Sequence, residues 1–565
     1  MSEKLAVLYT PFEKEGPDWS AYPRPQMKRE SFISLSGKWR LSSLYRDKRE
    51  YLGEIEVPFP PESRLSGVER TKQAGEMYIY EKTFSLPVLA EREKLVLHFG
   101  AVDCHCKVFV NGKKAGEHTG GYLPFTFDIT ELACTGENVV SVTVTDELDT
   151  ELAYGKQRKK RGGMWYTPVS GIWQTVWLEA VPFDYIRSLR ITPTLSSVTI
   201  ETEGGAEEKC LTVKTEKGEI TYTYRGNSFT LDMECPRLWS PEDPYLYYFT
   251  LTSGDDRIES YFALRTVKAE NGYILLNDRP YFFHGLLDQG YYPDGIYTPA
   301  TPEGYEWDIL TMKSLGFNML RKHIKVEPEL FYHYCDKHGM IVFQDMVNSG
   351  KYSFLIDTAL PTAGIKRGIT HKATKVRREH FEKSARETVA LLYNHPSVCY
   401  YTIFNEGWGQ YDADRIYGEM KREDPSRVWD ATSGWFFEKD SDVKSEHVYF
   451  KKLNMKRDAR PLVLSEFGGY SLRIPDHVFN LSGNYGYKSF SSKEELSKGL
   501  RELYLGQVVP EIEKKGLCAA VLTQVSDVED ETNGMVTYDR QVVKVDRDSM
   551  KEISEELRKA FEKQL

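Results

Sequence analysis

The sequence predicts a chain in three parts: two β-sandwiches followed by a (β/α)8 barrel. Residues 1–180 show short alternating strands broken by turn residues, the pattern of a sandwich. Residues 181–267 continue in short strands, over a length that fits an immunoglobulin-like sandwich of about seven strands. From 268 to 565 strand and helix alternate, with room for eight βα units. A chain of 565 residues is too long for one hydrophobic core, which also requires several domains.

In the first part, Val140, Val142 and Val144 alternate with Ser141, Thr143 and Thr145, a strand with one buried face. Asn111-Gly112 follows Lys107-Val108-Phe109-Val110 and marks a hairpin turn. An aromatic block of strand and turn runs from Trp165 to Trp173. The second part carries Leu238-Trp239-Ser240-Pro241 and Asp243-Pro244-Tyr245-Leu246-Tyr247. In the third, a helix is expected from Thr301-Pro302 to the stop at Gly316, with Thr as cap and Pro in the first turn. Phe317 to Arg321 reads as strand, 327–338 as helix ended by Gly339, and Met340 to Phe343 as strand running into Gln344-Asp345. A long helix over 376–393 precedes a strand over 399–406. Further strands are expected near 428–433, 447–450, 461–466 and 517–525. The stretch 347–375 is long for a connection and is predicted to form a lid or pocket wall.

Composition narrows the function. The chain is 40% hydrophobic and 28% charged with a net charge of −10, ordinary for a soluble protein and unfavourable for nucleic acid or an anionic membrane as partner. No apolar run is long enough for a membrane span, and the amino terminus lacks the pattern of a secretory leader. The eight cysteines are scattered without a CxxC pair and read as buried free thiols. These features predict a reduced, cytoplasmic protein. The basic run Lys156-Gln157-Arg158-Lys159-Lys160-Arg161 reads as a solvated loop.

Two short segments carry the chemistry. Thr402-Ile403-Phe404-Asn405-Glu406-Gly407-Trp408 and Leu462-Val463-Leu464-Ser465-Glu466-Phe467-Gly468 are each an apolar, β-branched run reaching a glutamate that is followed by Gly and an aromatic residue. Such runs are buried strands of a parallel sheet, and packing gives no reason for a carboxylate at their carboxyl ends. In a barrel that end holds catalytic groups. The glutamates are 60 positions apart, two or three strands at about 25–35 residues per βα unit, so they can face each other across a pocket. Paired carboxylates point to glycoside hydrolysis, one group protonating the leaving oxygen and the other attacking the anomeric carbon. Asn405 is placed to donate to a sugar hydroxyl beside the reacting carbon. Other polar groups at strand ends form a candidate sugar-binding ring: Asp288, Arg321, His323, Asp345, Trp435, His447, Tyr449 and Gln524. No HExxH, GxSxG or P-loop pattern occurs, so neither a metal site nor an organic cofactor is expected.

With these residues in view, the chain resembles glycoside hydrolase family 2, the group of β-galactosidases, β-glucuronidases and β-mannosidases. The resemblance rests on Trp165 to Trp177, Leu238-Trp239-Ser240-Pro241, Gly316-Phe317-Asn318 with Arg321 and His323, Asn405-Glu406, and Ser465-Glu466-Phe467-Gly468. It implies a jelly-roll sugar-binding-type domain over 1–180, an immunoglobulin-like domain over 181–267 and a catalytic TIM barrel over 268–565. It also implies Glu406 as acid/base and Glu466 as nucleophile. Leu287 to Pro293 and Thr523 to Glu529 resemble a β-galactosidase-like branch. The β-glucuronidases carry an Asn-x-Lys pair for the sugar carboxylate. Here Glu531-Thr532-Asn533 stands in its place, and an anionic Glu531 counts against a uronate unless Lys366 and Arg367 substitute. The family's His-x-Pro signature is altered after His323, where Ile324 and Lys325 follow. The expectation is an exo-acting retaining β-glycosidase of terminal β-D-galactosides or close relatives, with family members often forming homo-oligomers. β-Glucuronides, β-mannosides and α-L-arabinosides are the alternative substrates, and a non-catalytic carbohydrate-binding protein or an interaction scaffold the alternatives of other classes.

Overall fold

A computed structural model describes residues 4–86, 93–216, 218–362, 372–436, 438–449 and 451–565. Lys366 and Arg367 lie outside these residues, as does much of the carboxyl half of the 347–375 stretch.

The amino-terminal part is a sandwich of antiparallel sheets, one of four and one of six strands. Its central strand, Gly136–Thr145, buries Val140, Val142 and Val144 while the intervening Ser141, Thr143 and Thr145 stay half-exposed. Val142 pairs with Tyr80 on one side and Val108 on the other, so the apolar face is in register across three strands. The hairpin between His105–Val110 and Lys113–Thr119 turns at Asn111 and Gly112, whose φ angles of 50° and 77° are those a two-residue primed turn needs. Next comes a seven-stranded sandwich of a three-stranded and a four-stranded sheet, spanning Ile186–Pro193 to Asp256–Phe262. Trp239, fully buried, leaves this unit and donates its Nε1 to Asp336 O in the barrel at 2.8 Å. The indole thereby pins the sandwich to the barrel's outer layer.

The barrel sheet has eight parallel strands. They are β1 (Phe283–Asp288), β2 (Met319–Lys322), β3 (Ile341–Asp345), β4 (Val398–Asn405), β5 (Val428–Ser433), β6 (Lys444–Val448), β7 (Leu462–Gly468) and β8 (Leu517–Thr523). Hydrogen-bonded order runs β5-β4-β3-β2-β1-β8-β7-β6. The two ends meet through Asp442 N to Trp429 O at 3.0 Å and Ser445 Oγ to Thr432 O at 3.1 Å. Every residue of β4 and β7 is buried, as expected of parallel strands covered on both faces. Helix bounds lie within a few residues of those expected, at α1 (Glu303–Ser314), α2 (Glu329–His338) and α3 (Lys375–Leu392), but Pro302 rather than Thr301 holds the cap position of α1, without a side-chain cap bond. Gly339 ends α2 in the left-handed conformation at φ 69°, and Thr374 caps α3 by accepting Arg377 N at 3.1 Å.

Two further expectations need correction. Of the eight free cysteines, Cys134 and Cys235 are exposed and Cys210 is half-buried, so only five are core thiols. The basic run is also not merely solvated. Lys159 and Lys160 are exposed, but Gln157 is buried against Asp103 and Tyr122, and Arg161 pairs with Asp530 at 2.9 Å and Glu529 at 3.4 Å. The segment that follows the last long sandwich strand lies across the barrel mouth. It is fixed there by Tyr154 N to Asn348 O at 3.0 Å and Thr167 N to Glu529 Oε1 at 2.8 Å.

Candidate active site

Glu466 and Glu406 come to the same place by different local routes. Glu466 lies within β7, its side chain turned inward by the alternation of the strand and closed over to 5% exposure. Glu406 is the first residue past β4. Its φ of 54° is left-handed, which bends the chain out of the strand, and its N–H still bonds Ser433 O at 2.7 Å on β5. One carboxylate oxygen of each glutamate and a ring nitrogen of His447 all lie within 4.8 Å of one another.

The surroundings of the two differ. Glu466 Oε1 accepts from Arg321 Nη1 at 3.0 Å, and Oε2 accepts from the Tyr449 hydroxyl at 2.6 Å. His447 Nδ1 is 3.5 Å from Oε2 and His323 Nδ1 is 4.0 Å from Oε1. Burial pushes the Glu466 carboxyl up, but His447, Arg321, His323 and Lys156 outweigh it and pull the group down to about 2. Among the described residues, the close polar partner of Glu406 is His447 Nδ1 at 2.9 Å. Glu406 is half-buried, and its charge also reaches the hydroxyls of Tyr352, Tyr485 and Tyr487.

Arg321 organises the floor. Its Nε donates to Asp345 Oδ1 at 3.0 Å, its Nη2 to Asn405 Oδ1 at 2.8 Å, and its Nη1 to Ser465 O at 3.0 Å as well as to Glu466. Asp345 in turn meets His323 Nδ1 at 2.9 Å. Strands β2, β3, β4 and β7 are thereby tied by one buried guanidinium, a geometry that a lysine could not reproduce. With its oxygen taken by Arg321, Asn405 has its amide oriented for another acceptor.

The residues of the predicted ring lie at different distances from the pair. Arg321, His323, Asp345, Asn405, His447 and Tyr449 gather about the two glutamates. Trp435 stands edge-on to His447, with ring centres 5.6 Å apart. Tyr449 comes just after β6 and stacks on Tyr487 at 4.3 Å. Asp288 is not brought to the pair. Its carboxylate meets Lys322 Nζ at 2.7 Å and Gly290 N at 3.0 Å, within a buried ion cluster that includes Glu327 and Lys325. Gln524 sits one step out, accepting from Gln289 at 2.9 Å and donating to Glu531 Oε2 at 3.0 Å and Asn533 Oδ1 at 2.8 Å. Glu531 also accepts from Asn533 at 3.1 Å and from the Tyr166 hydroxyl at 2.7 Å.

Sequence reasoning missed Lys156, Tyr166, Tyr352, Tyr485 and Tyr487. The first two arrive from the amino-terminal sandwich, so no strand-end pattern marks them. Their one local signal is a basic run directly followed by an aromatic block. Besides the two glutamates with His447, Asp103, Cys104 and Asp146 in the first sandwich also have donor atoms within 4.8 Å of one another, the spacing a metal ion needs. No helix among the described residues is long and apolar enough to cross a membrane.

Comparison with known proteins gives matches along most of the chain. Residues 58–178 match the model described as glycosyl hydrolase 2 galactose-binding domain-like, residues 185–265 that of glycosyl hydrolases family 2, and residues 267–470 that of the glycosyl hydrolases family 2 TIM barrel domain. A β-galactosidase of Aeromonas hydrophila is 27% identical over 435 residues, which cover 70% of this chain and 40% of that protein. A β-glucuronidase of Streptococcus agalactiae is 26% identical over 417 residues, 68% of each. Among solved structures, a β-D-glucuronidase of Dictyoglomus thermophilum superposes with a TM-score of 0.76 at 21% identity, covering 95% of this chain and 98% of that one. A β-galacturonidase of Eisenbergiella tayi bound to galacturonate gives 0.69 at 19%, covering 94% and 98%. The chain spans less than half the length of the Aeromonas β-galactosidase.

Proposed function

The chain belongs to glycoside hydrolase family 2, and from that premise we propose that it is an exo-acting retaining β-glycosidase, with Glu466 as nucleophile and Glu406 as acid/base. The observation that carries this reading is the spacing of the pair. One oxygen of each within 4.8 Å of the other suits direct attack on the anomeric carbon, at about 5–5.5 Å between carboxyl groups, better than the about 6.5–9.5 Å that an inverting enzyme needs for its interposed water.

The unequal surroundings support these roles. A nucleophile must be ionised when it attacks, and Arg321, His447 and the Tyr449 hydroxyl hold Glu466 in that state. As charge leaves the carboxylate to form the glycosyl–enzyme ester, the oxygen that does not attack keeps its own donor, Arg321 on Oε1 or the Tyr449 hydroxyl on Oε2. Glu406 projects from the end of β4, half-open, where a leaving group departs and a water enters. It delivers a proton to the glycosidic oxygen and then takes one from the water that cleaves the ester. Asn405, oriented by Arg321, is placed to hold a hydroxyl next to the reacting carbon.

For the sugar, terminal β-D-galactosides and their close relatives are the first reading. A β-hexuronide is the second, favoured by the ammonium of Lys156 at the pocket. A panel of nitrophenyl glycosides, with proton NMR of the first anomer released, tests mechanism and sugar together. First release of the α-anomer from a β-glycoside would overturn the retaining mechanism.

A further inference from the structure

Most charges at this pocket have a partner. Arg321 is matched by Asp345 and Glu466, His323 by Asp345, and His447 by both glutamates. Lys156 is different. It is half-buried, and among the described residues its ammonium makes no ion pair within 4.0 Å and no hydrogen bond; its one close contact is the face of Tyr166 at 5.9 Å.

Its position is nevertheless fixed. Lys156 O accepts from Tyr166 N at 3.0 Å, and Tyr166 reaches on to grip Glu531. The preceding Gly155 has φ 63° and lies against the barrel: a Cβ there would be 2.6 Å from the Tyr122 hydroxyl and 3.3 Å from Ile324 O, the residue after His323. A larger residue would lift the loop off the barrel. The ammonium is thus held beside the Tyr166 ring, whose hydroxyl grips Glu531, and its charge acts on Glu531, His323 and Glu466.

We propose that Lys156, supplied by the amino-terminal sandwich, is the residue that selects the sugar, by gripping an acidic substituent on the terminal unit such as the C6 carboxylate of a β-D-hexuronide. This rests on the glycosidase reading above. A sugar filling the cavity strips the remaining water from the ammonium. A neutral hydroxyl leaves that cation poorly compensated, whereas a carboxylate restores a charge-assisted hydrogen bond. Glu531 does not forbid it. Burial pushes its carboxyl up, and three neutral side chains, from Tyr166, Gln524 and Asn533, already occupy its oxygens. It is left to accept from a sugar hydroxyl next to the carboxylate. Glycone recognition is then shared between two domains, with the barrel supplying the chemistry and the sandwich the selecting charge.

The test compares wild type with Lys156→Gln and Lys156→Arg in the full chain, on nitrophenyl β-D-galactoside, β-D-galacturonide and β-D-glucuronide. Loss of a charge-assisted hydrogen bond lowers the hexuronide-to-galactoside ratio of kcat/KM by about 10–100-fold in Lys156→Gln. Lys156→Arg keeps more of that ratio. An equal loss on all three glycosides, or a wild type that hydrolyses the galactoside and neither hexuronide, overturns the proposal. Calorimetric titration of wild type and Lys156→Gln with free D-galacturonate and D-galactose decides independently of turnover. A preference for the acid that disappears in the variant upholds the proposal even if no glycoside is cleaved, in which case the glycosidase reading alone falls. Equal affinity for the acid and the neutral sugar in wild type overturns it.

Discussion

Glu466 and Glu406 end equivalent strands of one barrel, yet their settings are opposite. Glu466 is enclosed and held by a guanidinium, a tyrosine hydroxyl and two imidazoles. Glu406 stands on a left-handed backbone turn, half-open, with His447 as its close polar partner among the described residues. On the proposed mechanism the same side chain serves as nucleophile in one setting and as acid/base in the other. The difference comes from what neighbouring strands contribute: β2 sends Arg321 and His323 towards β7, while β5 offers β4 a backbone carbonyl.

The largest test of that contrast removes each carboxylate in turn. Glu466→Ala and Glu406→Ala are both expected to lower kcat by several orders of magnitude. Azide separates them. With Glu466→Ala it takes the nucleophile's place and yields a glycosyl azide of inverted configuration, whereas with Glu406→Ala it replaces the activated water and yields a retained product. Product stereochemistry by NMR reads the two roles, and wild-type turnover in either variant would sink the assignment. Glu466 is also linked to stability. The Glu466 carboxyl lies below its ordinary value of 4.5, so its contribution is complete above that pH and is lost as pH falls towards about 2. Denaturant midpoints of wild type measured from pH 6 down should fall in that window, and a Glu466→Gln variant should show less of the fall.

Next in size are the groups that make Glu466 an anion. Arg321→Met leaves Asp345 and Glu466 as buried carboxylates without their cation, a change of about 3–5 kcal/mol. Near-complete loss of activity together with a lower Tm is expected, by assay and calorimetry. Tyr449→Phe removes one hydrogen bond of 2.6 Å to the carboxylate. At about 1.5–3 kcal/mol for a bond to a charged group, kcat/KM should fall about 10–100-fold with little change in fold, checked by kinetics beside circular dichroism.

Much of this site was legible in the chain, for a definable reason. An apolar strand reaching a glutamate is a local contradiction, and Glu406 and Glu466 each carry one. Arg321, Asp345 and His447 were marked the same way, by charge at the end of a run that packing alone would keep apolar. Asp288 obeyed the same rule and was drawn instead into the ion cluster with Lys322, since a strand-end carboxylate serves equally well as a counter-ion. Lys156 followed no rule of strand or helix. Its place depends on how a sandwich loop docks on a barrel more than a hundred residues away, through contacts such as Tyr154 to Asn348 and Arg161 to Asp530. Surface-like composition hid it, just as it hid Cys134 and Cys235 from the opposite error of assuming every thiol buried.

The smallest change that still probes the contrast is Gly434→Ala. Gly434 follows β5 at φ 107°, where an L-residue is strained, and a Cβ there would lie 3.1 Å from His447 Nδ1 and 3.2 Å from Glu406 Cγ. It presses on Glu406 directly, and on Glu466 only through His447, whose Nδ1 also stands 3.5 Å from Glu466 Oε2. The added methyl should therefore push on the single contact between His447 and Glu406 while leaving the Arg321–Glu466–Tyr449 arrangement in place. Kinetics can tell which step suffers. Substrates with a poor leaving group depend on protonation by Glu406, and those with a good one, such as dinitrophenyl glycosides, do not. The loss should be roughly tenfold for the former, corresponding to about 1.4 kcal/mol, and smaller for the latter. Equal losses on both would mean that the strain spreads to Glu466 and that the two glutamates are held as one rigid unit rather than by separate means.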